Sequence, residues 1–233
     1  MTDLGTIQTI AIIDDDKYQA ETIGDLVLDA GYRPRILEGV FRDVSILVER
    51  IRREADAAVC DHRLAHGGFA SFPGAEAVAG LYRQRIPSVL LTQYFEMDAD
   101  VAIRKWRPWI PVVLGRNEVA EEPELILQAL SVCQQELNGF RSQERRTQRS
   151  LIRIADTDNE GGEPVLDVFV STWEPLTAVR IPLDVIPEEL RGSATVGTYF
   201  VAMVNTDAER SADLYFDDIK AAPAAYDPGD CDD

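Results

Sequence analysis

The sequence has little sulfur and almost no histidine. Its three cysteines, Cys60, Cys133 and Cys231, are odd in number, widely spaced and free of any C-x-x-C pair. That excludes a disulfide framework or a cysteine-based zinc knuckle and fits reduced thiols in a cytoplasm. The two histidines, His62 and His66, lie four apart beside Asp61. A zinc centre needs more ligands than these offer, so both are read as incidental. No apolar run approaches the roughly 20 residues that span a bilayer. The opening "MTDLGTIQT" lacks the basic and apolar regions of a signal peptide. The expectation is a cytoplasmic chain without a membrane partner. Basic charge is also scarce. Lysine and arginine number 23 against 41 acidic side chains, for a net charge of −18. The imbalance is concentrated in residues 150–233, which carry 5 basic and 18 acidic groups. A surface of that sign repels nucleic acid and anionic lipid, so neither is expected as a partner.

Apolar residues are plentiful, and over the first 140 positions they follow two alternating patterns. Short apolar runs occur at Ile10–Ile13, Arg35–Leu37, Ala57–Cys60, Ser88–Leu91 and Pro111–Leu114. Between them lie helix-like segments. In Lys17–Ala30, residues Ala20, Ile23, Leu26, Val27 and Ala30 share one stripe, and Gly31 supplies a C-terminal stop. Phe41–Ala55 and Glu121–Phe140 have similar stripes, and Ala75–Gln84 and Ala99–Trp106 are shorter. Five strands, each followed by a helix, predict a five-stranded doubly wound parallel sheet. In such sheets a site forms at the carboxyl ends of the strands.

The helical pattern is expected to run on as "RSQERRTQRSLIRI", where Arg141, Arg145, Arg149 and Arg153 are spaced by four. On one helix they make a basic stripe, read as the solvated face of a linker. From about Ser150 the periodicity changes. "VLDVFVSTW" and "TVGTYFVAMVN" are rich in β-branched and aromatic residues, with turn-forming stretches such as "TDNEGGEP" between strands. A small antiparallel sheet or partly open barrel is expected. The final "APAAYDPGDCDD" has the composition of a disordered acidic tail.

The chemistry lies at three strand ends. The first strand runs into Asp14, Asp15 and Asp16, the third into Asp61 in "DAAVCDHRL", and the fourth into Thr92 in "PSVLLTQY". With strand order 2-1-3-4-5, the first, third and fourth strands are neighbours. Their ends then bring carboxylates and a hydroxyl into one pocket. Oxygen ligands of that kind suit Mg²⁺, whose charge offsets carboxylate repulsion and stabilises an added phosphoryl group. Asp16 is read as the cap of the following helix.

In the order and spacing of these motifs, residues 7 to about 138 resemble the receiver domain of two-component response regulators. The resemblance implies a receiver or flavodoxin-like sheet of order 2-1-3-4-5. It implies Asp14 and Asp15 as the metal-binding acidic pair, Asp61 as phosphoacceptor and third metal ligand, and Thr92 as the hydroxyl that contacts the phosphoryl group. The implied partner is a sensor histidine kinase and the implied cofactor Mg²⁺. The expected organisation is a receiver-like domain over 1–138, a linker helix over 139–153, a β-rich output domain over 154–222 and a tail over 223–233. Output is expected through contact with a protein partner or a second copy of the chain. Two departures stand out. The family's lysine after the fifth strand is absent from "IPVVLGRNEV", where Arg116 is the nearest cation able to replace it. The loop "HRLAHGGFASFPGAEA" is also longer than usual, by roughly five residues if Gly74 is the matching glycine.

Two other functions compete. The missing lysine favours a receiver-like scaffold that works without phosphorylation. The Asp-x-Asp of "IIDDD" also fits a haloacid-dehalogenase-like phosphatase, with Asp14 as nucleophile, Asp16 as general acid, and Thr92, Lys105 and Asp217–Asp218 completing the set.

Overall fold

A computed structural model describes residues 7–65, 68–93 and 101–223. They form two compact units, one of residues 7–93 and 109–141, the other of residues 101–108 and 142–223. The proposed acidic tail, His66 and most of the segment before Arg104 lie outside the described residues. No described helix is long and apolar enough to cross a membrane.

The first unit is a five-stranded parallel sheet of order β2-β1-β3-β4-β5. Its strands are β1 (Thr9–Ile13), β2 (Arg33–Ile36), β3 (Ala57–Asp61), β4 (Ser88–Thr92) and β5 (Val113–Gly115). Its helices are α1 (Lys17–Asp29), α2 (Val44–Glu54), α3 (Gly74–Arg83), α4 (Arg116–Glu121) and α5 (Leu125–Leu137). The expected sheet and strand order are therefore present. β3 and β4 are buried at every position, as central parallel strands covered on both faces should be. Ile10, Ile12, Val59, Val89 and Leu91 pack against Ala20, Ile23 and Val27 of α1 and Ile126, Leu130 and Cys133 of α5. Helices α2 and α3 pack against each other, α2 touching β1 and α3 touching β3 and β4. Gly31, at φ 88°, ends α1, and the Tyr32 amide closes back on Val27.

The second unit holds a five-stranded antiparallel sheet of order β10-β9-β6-β7-β8. Its strands are β6 (Gln148–Glu160), β7 (Glu163–Val170), β8 (Ala178–Pro182), β9 (Tyr199–Val204) and β10 (Phe216–Ala221), with a short helix α6 (Glu188–Arg191). One face of the sheet forms a core of Ile152, Ile154, Val168, Val170, Ile181, Phe200 and Val204, closed by Trp173. Gly161 and Gly162 both have positive φ and make the two-residue turn between β6 and β7.

The expected linker helix over 139–153 does not form. Gly139, at φ 93°, stops α5, and the Phe140 amide bonds back to the Gln135 carbonyl. Residues 148–153 are instead the start of β6, the central strand of the second sheet. The arginine stripe dissolves with the helix. Arg141 pairs with Glu136 at 3.5 Å, and Arg145 is buried, donating to the carbonyls of Arg107 and Pro108. Arg149 and Arg153 project from β6 opposite Met203 and Tyr199 of β9.

The short 3-10 helix Arg104–Trp109 contributes to the second unit through its first residues. Arg104 donates to the carbonyls of Ser211 and Leu214 at 2.5 and 2.9 Å, and Arg107 pairs with Asp213 at 2.6 Å. Burial, with Arg145 close by, brings the Arg107 pKa down to about 10, although Asp213 opposes the shift.

Candidate functional site

Sheet register brings the singled-out residues to one edge of the first unit. Ile13 pairs with Cys60, so Asp14 and Asp61 are the next residues on adjacent strands. Asp61 pairs with Leu91, one position before Thr92, and Thr92 pairs with Gly115, one position before Arg116. Asp14, Asp61, Thr92 and Arg116 thus leave four neighbouring strands at the carboxyl edge. Asp14, Asp61 and Thr92 are buried, and Asp15 is half-buried. One carboxylate oxygen from each of Asp14, Asp15 and Asp61 lies within 4.8 Å of the others.

Asp16 plays a different part from its neighbours. Its Oδ1 accepts from the amides of Tyr18 and Gln19 at 2.8 and 3.2 Å and caps α1. The cap separates the acidic triplet into two pocket residues and one helix terminus. In the phosphatase alternative this capping residue would have to serve as general acid. Lys105 pairs with Asp184, and Asp217 and Asp218 lie on β10, all within the second unit. The haloacid-dehalogenase set is therefore not assembled within the unit that holds Asp14.

Arg116, the first residue of α4, lies inside the pocket. Its guanidinium reaches Asp14 Oδ2 at 2.5 Å and Asp61 Oδ1 at 2.6 Å through Nη2, while Nη1 donates to Gln19 Oε1 at 3.1 Å. The remaining oxygens are also engaged. Asp14 Oδ1 accepts from the Asp16 amide at 2.9 Å, and Asp61 Oδ2 accepts from the Arg63 amide at 2.8 Å. Burial pushes the Asp14 carboxyl above its ordinary value, against the pull of Arg116. Burial opposes the charge on Arg116, but hydrogen bonds and charges from Asp14 and Asp61 outweigh it and raise its pKa. Gln19 carries no signal in the sequence beyond its position one turn into the helix after the acidic triplet.

The described residues of the long loop after β3 are anchored. Leu64, Phe69, Ala70 and Phe72 are buried, and the Phe69 ring packs on Phe41 with centroids 5.2 Å apart. Gly74 ends the loop, its amide donating to the His62 carbonyl at 2.8 Å. A Cβ on Gly74 would sit 1.8 Å from the Asp61 carbonyl oxygen, so only glycine fits there. Cys60, under the pocket, is fully buried. Burial and the nearby Asp61 and Asp14 charges push its thiol well above the ordinary range, as expected of an inert core thiol.

The oxygen-only donor set of Asp14, Asp15 and Asp61 has the chemistry of a hard divalent-cation site. In it Arg116 already holds two of the oxygens.

No protein-family model matches the chain, and no curated protein matches it. Many solved structures similar to it are response-regulator receiver domains. One is the N-terminal domain of a response regulator/sensory box/GGDEF protein from Carboxydothermus hydrogenoformans. It is 22% identical, with 57% of this chain and 100% of that one covered and a TM-score of 0.44. A receiver domain from Clostridium thermocellum is 12% identical, covering 56% of this chain and 97% of its own, with a TM-score of 0.42. One from Methanospirillum hungatei is 16% identical, covering 56% and 99%, with a TM-score of 0.43.

Proposed function

We propose that the first unit is a phosphoacceptor switch in which Asp61 takes a phosphoryl group from the phosphohistidine of a sensor kinase. The carrying observation is the gathering of Asp61 with Asp14 and Asp15 within 4.8 Å, at a sheet edge where Thr92 ends the adjoining strand. In the reaction an Asp61 carboxylate oxygen attacks phosphorus. The P–N bond to histidine breaks, its electron pair stays on the imidazole nitrogen, and an acyl phosphate remains on Asp61. Asp14, Asp15 and Asp61 would hold Mg²⁺, which when bound supplies positive charge beside the transferred group. The Thr92 hydroxyl and the Arg116 guanidinium would donate to phosphoryl oxygens, a role supported by the strand ends that carry them beside Asp61. Arg116 offers a planar fork where the resembling family uses a lysine.

The second unit then acts as the output, by contact with a protein partner or another copy of the chain. Its acidic surface disfavours nucleic acid. The first unit does not turn over substrate beyond its own phosphorylation and dephosphorylation.

A small phosphodonor such as acetyl phosphate tests this. With Mg²⁺ present, intact-mass spectrometry should record one added phosphoryl group, mapped to Asp61 and abolished in Asp61→Asn. A second reading has its own support. Each oxygen of Asp14 and Asp61 already accepts a hydrogen bond, which favours a scaffold that is never phosphorylated. Absence of label, with partner binding unchanged in Asp61→Asn, would establish the scaffold instead.

A further inference from the structure

We propose that Arg116 is the resident counter-ion of the acidic pocket, and that a divalent cation reaches Asp14, Asp15 and Asp61 only by displacing its guanidinium. The inference rests on the pocket being a cation-assisted phosphoacceptor site and assigns that site a built-in competitor.

Three observations carry it. First, the guanidinium occupies the oxygens a metal would need. Arg116 Nη2 lies 2.5 Å from Asp14 Oδ2 and 2.6 Å from Asp61 Oδ1. The other oxygen of each carboxylate is held by a backbone amide, at Asp16 and Arg63. A hard cation that binds either carboxylate therefore competes with these charge-assisted bonds.

Second, the arginine is held in place from both sides. Its backbone follows Gly115, which pairs with Thr92 across β4 and β5, and starts α4. Its Nη1 is tethered to Gln19 on α1 at 3.1 Å. The guanidinium thus links the helix after β1 to the helix after β5 through the pocket.

Third, charge alone gives the arginine a reason to stay. It offsets one of the three carboxylate charges without needing the tight octahedral shell that Mg²⁺ requires. Its side chain is 15% exposed, so it has a path out when displaced.

The consequence is a site whose metal affinity is set by Arg116. Low cation concentration leaves the pocket closed by its own arginine, and phosphoacceptance then needs a higher Mg²⁺ concentration than an open pocket would. Once displaced, the same guanidinium is free to meet an incoming phosphoryl oxygen.

The test is Mg²⁺ titration of the full chain by calorimetry, with Mn²⁺ binding followed by electron paramagnetic resonance. Arg116→Gln should bind either ion at least about tenfold more tightly than the unmodified chain. Its thermal midpoint should rise on adding Mg²⁺, while that of the unmodified chain moves little. Gln19→Ala removes the tether and leaves all carboxylates in place, so it should raise affinity about two- to threefold. It covers the case in which Arg116→Gln fails to fold. Equal metal affinity in the unmodified chain and the folded variants overturns the inference. Acetyl phosphate labelling separates this from failure of the phosphoacceptor reading. Tighter metal binding in Arg116→Gln with no label on Asp61 in either chain overturns that reading alone. Label on Asp61 with unchanged metal affinity overturns the counter-ion alone.

Discussion

Gly74 is the residue on which the backbone beside Asp61 depends. Its missing side chain lets α3 begin against the Asp61 carbonyl, where a Cβ would approach to 1.8 Å. Backbone atoms on both sides cannot yield as a flexible side chain could. Gly74→Ala should therefore cost about 2–3 kcal/mol of stability, in the range of overpacked cores. It should also slow labelling of Asp61 more than the stability loss explains, because the shift falls on the chain carrying the carboxylate. Urea melts and the rate of acetyl phosphate labelling, compared at a temperature where both proteins are folded, check this. A variant as stable and as quickly labelled as the parent would show that the close approach can relax. At this scale the sequence was informative about residue types. Asp14, Asp15, Asp61 and Thr92 could be placed because they stand at the ends of apolar strands, and Gly74 only as the glycine that matches the loop of the resembling family. The position of Arg116 was less legible. A long side chain starting in the first turn of a helix can point to solvent or back over the sheet edge. Only the register of β4 with β5 and the Gln19 tether determine which.

Among the elements, α1 is tied most closely to the pocket, because its cap and the site share one acidic run. The Asp16 carboxylate satisfies two amides of the first turn, while the Asp16 amide donates to Asp14. Asp16→Ala should therefore lower stability by about 1 kcal/mol, the usual loss of a helix cap. Labelling of Asp61 should persist, since the Asp16 amide remains. Denaturant melts and intact-mass spectrometry measure the two effects. Loss of labelling in a folded variant would give Asp16 a chemical role that its cap geometry does not require. The parallel sheet was legible because the cores of β3 and β4 are short apolar runs, Ala57–Cys60 and Val89–Leu91, alternating with helix-like segments. β6 was not, and its first half illustrates why. Ser150, Ile152 and Ile154 alternate with Leu151 and Arg153, the period of a half-buried strand. Arginines at spacing four overlay that alternation and imitate a helix face. The Gly161–Gly162 turn two residues before β7 was the better signal, because a tight hairpin requires a strand on each side.

On the scale of the whole molecule, the two units are interleaved along the chain rather than strung in sequence. After Thr92 the chain gives residues 101–108 to the second unit and returns to form β5. Those few residues hydrogen-bond or pair with groups of residues 142–223. Arg104 meets the carbonyls of Ser211 and Leu214, Arg107 neutralises Asp213, and the carbonyls of Arg107 and Pro108 accept from buried Arg145. Removing the segment leaves Asp213 with Arg210 as its remaining arginine partner and Arg145 without two acceptors, together a loss of about 2–4 kcal/mol. A fragment of residues 142–233 should therefore melt well below the same unit in the intact chain, or fail to fold cooperatively. A synthetic peptide spanning residues 100–110 should raise its melting temperature in proportion to the logarithm of peptide concentration above the dissociation constant. The same peptide carrying Arg104→Ala and Arg107→Ala should do much less. A fragment as stable as the intact unit, and indifferent to the peptide, would mean that these buried arginines contribute no net stability. Otherwise the two units are not divided at one point after residue 138, because the chain also passes between them before residue 101 and after residue 108. Residues 101–108 belong to the second unit, while residues 68–93 and 109–141 on either side of them belong to the first.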